Sequence, residues 1–151
     1  MKAGSKASDF SCIDHRNEMF TLADHRGSNV LLSFHPLAWT PVCAQQMQSL
    51  ESHARDFSRL DTAAIGVSVD PVPCKAAWVR HLNLEHTPLL CDFWPHGAVA
   101  AAFGLFRRAD GFSERANVVV DREGSVAFFK IHELSTVPDM GEVIDTLREM
   151  P

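Results

Sequence analysis

Two short apolar runs, each followed by a helical pattern, constrain the fold of this chain most. The first run, Asn29–Phe34, is almost continuously apolar, which is typical of a strand buried on both faces. The second run covers residues 63–69 and has the same character. After each run the apolar residues recur at three- and four-residue steps, which predicts a helix. Strands that alternate with helices form a sheet with parallel members, and the helices cover its faces.

The rest of the chain adds both helices and strands to this arrangement. Residues 121–124 read as a tight turn, so the strands on either side of it form an antiparallel hairpin. The predicted fold class is therefore α/β: a thioredoxin-like three-layer sandwich whose central mixed sheet has helices on both faces. Helices are predicted over residues 41–60, 73–81, 98–103 and 140–150, and further strands over residues 9–13, 19–22, 88–91, 116–120 and 126–131.

Length and charge narrow the class of protein. A chain of 151 residues is expected to form a single domain, residues 1–151. The net charge of -5 argues against a nucleic-acid partner, because phosphate binding needs clustered positive charge. No apolar stretch approaches the roughly 20 residues that span a bilayer, and the first residues lack a signal-peptide core. We therefore expect no membrane association and a cytoplasmic location.

Four cysteines are the only strongly nucleophilic side chains that stand out. Their spacing is wide and contains no CxxC pair, and the eight histidines form no helical pair with a carboxylate, so no metal or cofactor is expected. Each cysteine is then either a small buried hydrophobe or a reactive thiol. Cys12 and Cys91 lie in predicted strands and are expected to fill the core.

Cys43 differs because it falls in the first turn of a predicted helix. Thr40 is a good N-cap residue and Pro41 suits the first helical position, which places Cys43 about third in the helix. Free amides and the positive end of the helix dipole favour a thiolate there. From position alone, simple packing of Cys43 under the helix remains an equal alternative.

The residues around Cys43 carry a family resemblance. Pro36, Thr40 and Cys43 fall in the PxxxTxxC pattern of peroxiredoxins, at fixed spacing after an apolar strand. Arg115, just before a distant strand, fits the same resemblance, which extends over nearly the whole chain. Residues 92–99 resemble the corresponding segment of the AhpE-type one-cysteine group within this family.

The resemblance implies a thiol peroxidase that acts on hydrogen peroxide, small organic hydroperoxides or peroxynitrite. Cys43 would be the peroxidatic cysteine, which attacks the peroxide and becomes a sulfenic acid. Thr40 would hydrogen-bond the bound peroxide, and Pro36 would shield the sulfenic acid. Arg115 would hold thiolate and peroxide, a role that suits a permanently charged, planar fork of donors.

Other residues near this pattern modify what the resemblance implies. Gln46 stands where the family often has Glu, and His35 stands where an aromatic residue is usual. A homodimer is implied by the family. Four side chains are expected to form a pocket wall or a dimer contact, namely Trp39, Phe93, Trp94 and His96.

How the sulfenic acid is reduced remains open at this point. One resolving pattern of the family places a cysteine where this chain has Gln48, and another where it has Val79. Cys74 lies five residues before Val79, which turns a helix by about 500°, so it faces another direction. Its position at a helix start would make it exposed and acidic, however, and it is a candidate resolving cysteine.

We therefore expect a one-cysteine mechanism in which a small thiol, or a glutaredoxin- or thioredoxin-like partner, reduces Cys43. The alternatives are a two-cysteine mechanism with Cys74 resolving, and a peroxide-sensing relay protein that turns over slowly.

Overall fold

The computed structural model describes residues 1–151, and nine short strands and five helices make up its regular structure. A single 3₁₀ turn, Leu22–His25, precedes the third strand. The strands are β1 Ser11–Ile13, β2 Met19–Thr21, β3 Asn29–Phe34, β4 Thr62–Ser68, β5 Leu89–Cys91, β6 Phe106–Arg107, β7 Phe112–Ser113, β8 Arg115–Val120 and β9 Val126–His132. The helices are α1 Pro41–Ser52, α2 Ala54–Arg59, α3 Val72–Leu82, α4 Ala98–Ala102 and α5 Met140–Glu149.

The central sheet has five strands in the order β5-β4-β3-β8-β9. Strand β3 runs parallel to β4 and antiparallel to β8, which confirms the predicted mixed sheet. Phe34, the last residue of β3, pairs with Val67 on one side and with Ala116 on the other. The carboxyl ends of β3 and β4 and the amino end of β8 therefore meet at one edge, where ligands of such sheets usually bind.

Alternating side chains of the buried strands divide the core between the two faces of the sheet. Leu31 of β3 packs with α1, α2, α3 and α5 on one face, whereas Leu32 packs on the other. The second face is covered by α4, the 3₁₀ turn and the hairpin of β1 and β2. The predicted three-layer arrangement with helices on both faces is confirmed, although one layer is mostly not helical.

Two details differ from the sequence prediction. The helix predicted over residues 41–60 is two helices, because His53 leaves the helical region with φ -101° and ψ 14°. Apolar spacing continues across this residue to the buried Phe57, so the pattern could not reveal the break. Strands β6 and β7 were not predicted, because a hairpin with two residues on each side has no detectable periodicity.

None of the five helices has the length and apolar character that crossing a membrane would require.

Candidate active site

Cys43 is the third residue of α1 and is completely buried. Pro41 occupies the first helical position, as predicted, and Thr40 is the N-cap residue with an extended backbone. The first amide that bonds within the helix is that of Ala44, which donates to the Thr40 carbonyl at 2.9 Å. The amides of Val42 and Cys43 precede it and remain free, so unpaired N–H groups and the positive end of the helix dipole surround the sulfur.

Arg115 reaches this sulfur from the neighbouring strand. It is the first residue of β8, one position before the Ala116 that pairs with Phe34, so it emerges at the same edge of the sheet as the loop before α1. Its Nη1 lies 3.2 Å from Cys43 Sγ, across 72 residues of sequence. Arg115 is itself only 3% exposed, so this contact is made in a buried setting.

The guanidinium of Arg115 is held without any carboxylate. Its Nε and Nη2 donate to the Leu134 carbonyl at 3.0 and 2.8 Å, and its Nη1 donates to Gln46 Oε1 at 2.8 Å. These acceptors fix the side chain but leave its positive charge uncompensated. Because a buried, unpaired charge is unfavourable, this setting suits an anion at the position of Cys43 Sγ. The arrangement therefore favours a thiolate over a thiol at Cys43.

Gln46 is oriented by a buried hydrogen-bond network that sequence reasoning did not find. Its Nε2 donates to Ser33 Oγ at 2.7 Å and to the Phe34 carbonyl at 3.1 Å, so its Oε1 must face Arg115. Ser33 Oγ in turn donates to Asn117 Oδ1 at 2.7 Å. Such satisfied networks rigidify a site. The only signal in the sequence was the placement of polar residues inside two strands and a helix that are otherwise buried.

Replacing Gln46 with Glu should weaken the thiolate. A carboxylate would neutralise the charge of Arg115 and would lose the amide donors to Ser33 and Phe34. We expect the alkylation of Cys43 by iodoacetamide near neutral pH to slow about tenfold. The exposed Gln45→Glu change adds the same charge to the same helix and is the matched control. Equal alkylation rates in all three proteins would contradict this account of Gln46.

Thr40 and Pro36 belong to the loop of residues 35–40, here called the catalytic loop. Thr40 does not cap α1 through its side chain, although the sequence suggested a cap; its hydroxyl donates to the Leu37 carbonyl at 2.7 Å instead. The oxygen of Thr40 therefore has lone pairs free to accept a hydrogen bond from a small ligand. Pro36 is buried and fixes the backbone at the start of the loop.

The catalytic loop is tied to the junction between β4 and α3. The Ala38 amide donates to Asp70 Oδ2 at 2.9 Å, and Trp39 Nε1 donates to the Cys74 carbonyl at 3.4 Å. Asp70 Oδ2 also accepts from Ser68 Oγ at 2.5 Å. Trp39 has a positive φ of 66°, an unfavourable backbone conformation that these contacts offset.

A shallow concavity of about 200 Å³ opens beside Thr40, and Trp39 forms part of its wall. A larger concavity, about 840 Å³, lies along β2 and α2 and includes none of the residues predicted for the site. Phe93, Trp94 and His96 line neither of these two concavities. The residues of the smaller concavity are Trp39, Thr40, Pro41, Ala44, Trp78, His81 and Leu82.

Phe93 and Trp94 lie on the surface, and 84% of Trp94 is exposed. The nearby His96 is also exposed; its Nε2 lies 2.7 Å from the Gly111 carbonyl and its Nδ1 3.3 Å from the Phe93 carbonyl, and a neutral ring donates to one of the two. This part of the chain is therefore an ordered surface loop with an apolar tip.

The other three cysteines are poor nucleophiles. Cys12 and Cys91 are buried, as predicted, and burial is the main cause that raises their pKa values to about 12 and about 11. The expectation that Cys74 is acidic is wrong. Partial burial, and then the charge of Asp70, raise the pKa of Cys74 despite its place at the start of α3.

Comparisons with known proteins agree on one family. The sequence profile of the AhpC/TSA family matches residues 3–129. Alkyl hydroperoxide reductase E of Mycobacterium tuberculosis is 38% identical over 148 residues, which cover 97% of this chain and 96% of that protein. Peroxiredoxin-2 of Mus musculus is 27% identical, over 93% of this chain and 75% of its own.

Solved structures show the same relationship. Peroxidoxin BcpB from Mycobacterium tuberculosis has a TM-score of 0.87 at 26% identity, covering 100% of this chain and 99% of its own. AhpC from Enterococcus faecalis, at 23% identity, has a TM-score of 0.87 over 97% of this chain and 90% of its own, which shows the common fold.

The chain therefore belongs to the AhpC/TSA family of peroxiredoxins. It is an oxidoreductase, a thiol-dependent peroxidase that takes a peroxide as its substrate and a thiol as its reductant. Its similarity to alkyl hydroperoxide reductase E confirms the AhpE-type resemblance stated from the sequence.

Proposed function

We propose that Cys43 is the peroxidatic cysteine and that Arg115, Thr40 and Pro36 complete its site. The observation that carries this proposal is the 3.2 Å contact between Arg115 Nη1 and Cys43 Sγ at the first turn of α1. A thiolate in that place faces a permanent cation and the free amides of the helix terminus. No other cysteine of the chain has such surroundings, since the remaining three have raised pKa values.

The chemistry is a two-electron transfer from sulfur to the peroxide. The thiolate attacks one oxygen, the S–O bond forms as the O–O bond breaks, and the leaving oxygen departs as hydroxide or alkoxide and takes up a proton. Arg115 and the amides of Val42 and Cys43 donate to the oxygens as negative charge moves onto them. Thr40 Oγ accepts from the peroxide O–H, since its own proton is committed to the Leu37 carbonyl.

For the second half of the cycle we propose a one-cysteine mechanism. The Cys43 sulfenic acid is reduced by an external small thiol or by a glutaredoxin- or thioredoxin-like protein. The raised pKa of Cys74 supports this choice, because a resolving thiol attacks as its thiolate. Complete burial of Cys43 implies that the first turn of α1 must open before a protein reductant reaches the sulfur.

Intact-mass analysis after one equivalent of hydrogen peroxide tests this mechanism. We expect wild type and Cys74→Ser to gain the mass of one oxygen at equal yield, whereas Cys43→Ser gains none. A high yield of an internal disulfide between Cys43 and Cys74 in the wild type would establish the two-cysteine alternative instead. A peroxide-sensing relay would show the same first oxidation but would consume peroxide slowly with every thiol supplied.

The proposal also covers the domain organisation, oligomeric state and location of the enzyme. We propose that residues 1–151 act as one domain, since both core clusters pack on a single sheet. A homodimer is supported by the exposed Phe93 and Trp94, whose apolar surface suits burial against a second copy. A cytoplasmic location is supported by four unpaired cysteines, as expected in a reducing compartment.

A further inference from the structure

A buried lysine lies behind the catalytic loop, and the mechanism above does not use it. Lys75 is in the first turn of α3, and both it and His35 are completely buried. Lys75 Nζ lies 2.6 Å from His35 Nε2, across 40 residues of sequence. Lysine is almost never fully buried without a partner, so this pair requires an explanation beyond packing.

The hydrogen bonds of His35 identify which group donates to which. Its Nδ1 lies 3.2 Å from the Ser33 carbonyl, which can only accept, so Nδ1 carries the proton. Burial, and then the charge of Lys75, lower the pKa of His35 well below its usual value, so the ring is neutral. Its Nε2 therefore presents a lone pair, and Lys75 is the donor.

His35 is the first residue of the catalytic loop and directly precedes Pro36. Its amide donates to the Val67 carbonyl at 3.0 Å, and its own carbonyl lies 3.3 Å from Ser113 Oγ. The hydrogen bond from Lys75 to the ring of His35 thus helps to fix the start of the segment that leads into α1. Together with the contacts of Asp70 to Ala38 and of Trp39 to Cys74, the pair joins α3 to the catalytic loop at three points.

Charged and titratable groups face Lys75 from several elements. Trp78 of its own helix places a ring 5.4 Å from Nζ, and Arg115 adds a second positive charge near His35. The only carboxylate whose charge clearly acts on Lys75 is that of Asp70, which already accepts three hydrogen bonds or weak contacts. The titratable groups whose charged forms would interact with Lys75 are His35 in the catalytic loop, Asp70 after β4, Cys43 in α1, Cys74 in α3, Cys91 in β5, Cys12 in β1, and His15 after β1.

We propose that Lys75 is a positioning residue for the peroxidase: its ammonium group holds His35, and through it the catalytic loop, and adds a second buried positive charge that favours the Cys43 thiolate. This inference rests on the proposed role of Cys43. Arg115 contacts the sulfur directly, whereas Lys75 acts from behind the loop.

The charge of Lys75 can be removed within an accessible pH range. Burial lowers the pKa of Lys75 to about 8. Below that pH the ammonium is present and supports the thiolate; above it the group is neutral and the support is lost. Loss of the ammonium releases His35 and with it the catalytic loop, so the rate of Cys43 oxidation should fall above about pH 8, although Arg115 stays charged throughout.

Stopped-flow oxidation of the reduced protein by hydrogen peroxide, followed between about pH 5 and pH 10, tests the proposal. Lys75→Met removes charge and donor, Lys75→Gln keeps a donor without the charge, and the exposed Lys2→Met is the matched control. We expect both Lys75 variants to lose the fall at high pH and to oxidise Cys43 about tenfold more slowly than the wild type at neutral pH. Lys2→Met should keep the pH profile of the wild type, including its fall at high pH.

A folded Lys75→Met variant whose profile has the same shape and midpoints as the wild type would overturn the proposal, even if its rate were uniformly lower. Should both variants fail to fold, the wild type decides, because a rate that stays constant above pH 8 excludes the role of the ammonium. Failure of the proposed role of Cys43 gives a different result from failure of the Lys75 inference. It would appear as peroxide consumption retained in Cys43→Ser, whereas failure of the Lys75 inference leaves that variant inactive.

Discussion

We expect replacement of Cys43 with serine to abolish peroxide reduction. A serine hydroxyl is not ionised near neutral pH and cannot take up an oxygen atom, so both the nucleophile and the two-electron donor are lost. The other cysteines cannot substitute, because burial raises the pKa of Cys12 and Cys91, and burial with the Asp70 charge raises that of Cys74. Peroxide consumption in the presence of excess dithiothreitol is the measurement.

Two controls make this result specific. Serine is close to cysteine in size, so thermal unfolding of Cys43→Ser should remain cooperative, which separates loss of chemistry from loss of fold. Cys74→Ser removes a thiol that lies beside the same loop and should retain full single-turnover oxidation. Appreciable peroxide consumption by folded Cys43→Ser would show that the reacting thiol lies elsewhere.

Replacing Arg115 with lysine should slow the oxidation of Cys43 by about 10²- to 10³-fold, although the charge is formally kept. The guanidinium contacts Cys43 Sγ, Gln46 Oε1 and the Leu134 carbonyl at once, with distances of 2.8 to 3.2 Å. A lysine ammonium is a single point and cannot make all of these contacts. The thiolate would then lose its fixed partner, and Gln46 and Leu134 would keep acceptors without donors.

The rate of Cys43 oxidation by hydrogen peroxide measures this effect, and Arg108→Lys is the matched control. Arg108 is exposed and makes no hydrogen bond or ion pair, so the same exchange there should leave the rate unchanged. A wild-type rate in Arg115→Lys would mean that any nearby cation suffices and that the geometry of the fork plays no part.

Much of the fold followed from residue patterns because its strands are strongly apolar. The run Asn29–Phe34 is entirely buried and was located to the residue, since a strand covered on both faces has no polar alternation to confuse its limits. The break at His53 was not predictable, because the apolar spacing that buries Phe57 continues through it. Patterns report which face is buried rather than where a backbone turns.

The active site was predictable in part for a similar reason. Position at a helix start left a reactive and a simply packed Cys43 equally open. Only the resemblance favoured the reactive thiol and linked it to Arg115, since the antiparallel pairing of β3 with β8 is a long-range contact. The roles of Gln46 and Lys75 were not predicted, because they depend on the direction of individual side chains. Lys75 did leave a signal: it lies on the same helical stripe as the buried Trp78 and Val79, where a charge is out of place.

The central claim is that Cys43 is ionised at neutral pH, and the ultraviolet absorbance of its thiolate tests that claim most directly. Because the other three cysteines have raised pKa values, any thiolate absorbance at pH 7 must come from Cys43. In a pH titration of the reduced protein, we predict a thiolate signal at neutral pH that is absent from Cys43→Ser. Wild type and Cys43→Ser curves that coincide until the solution is well above neutral pH would contradict the account.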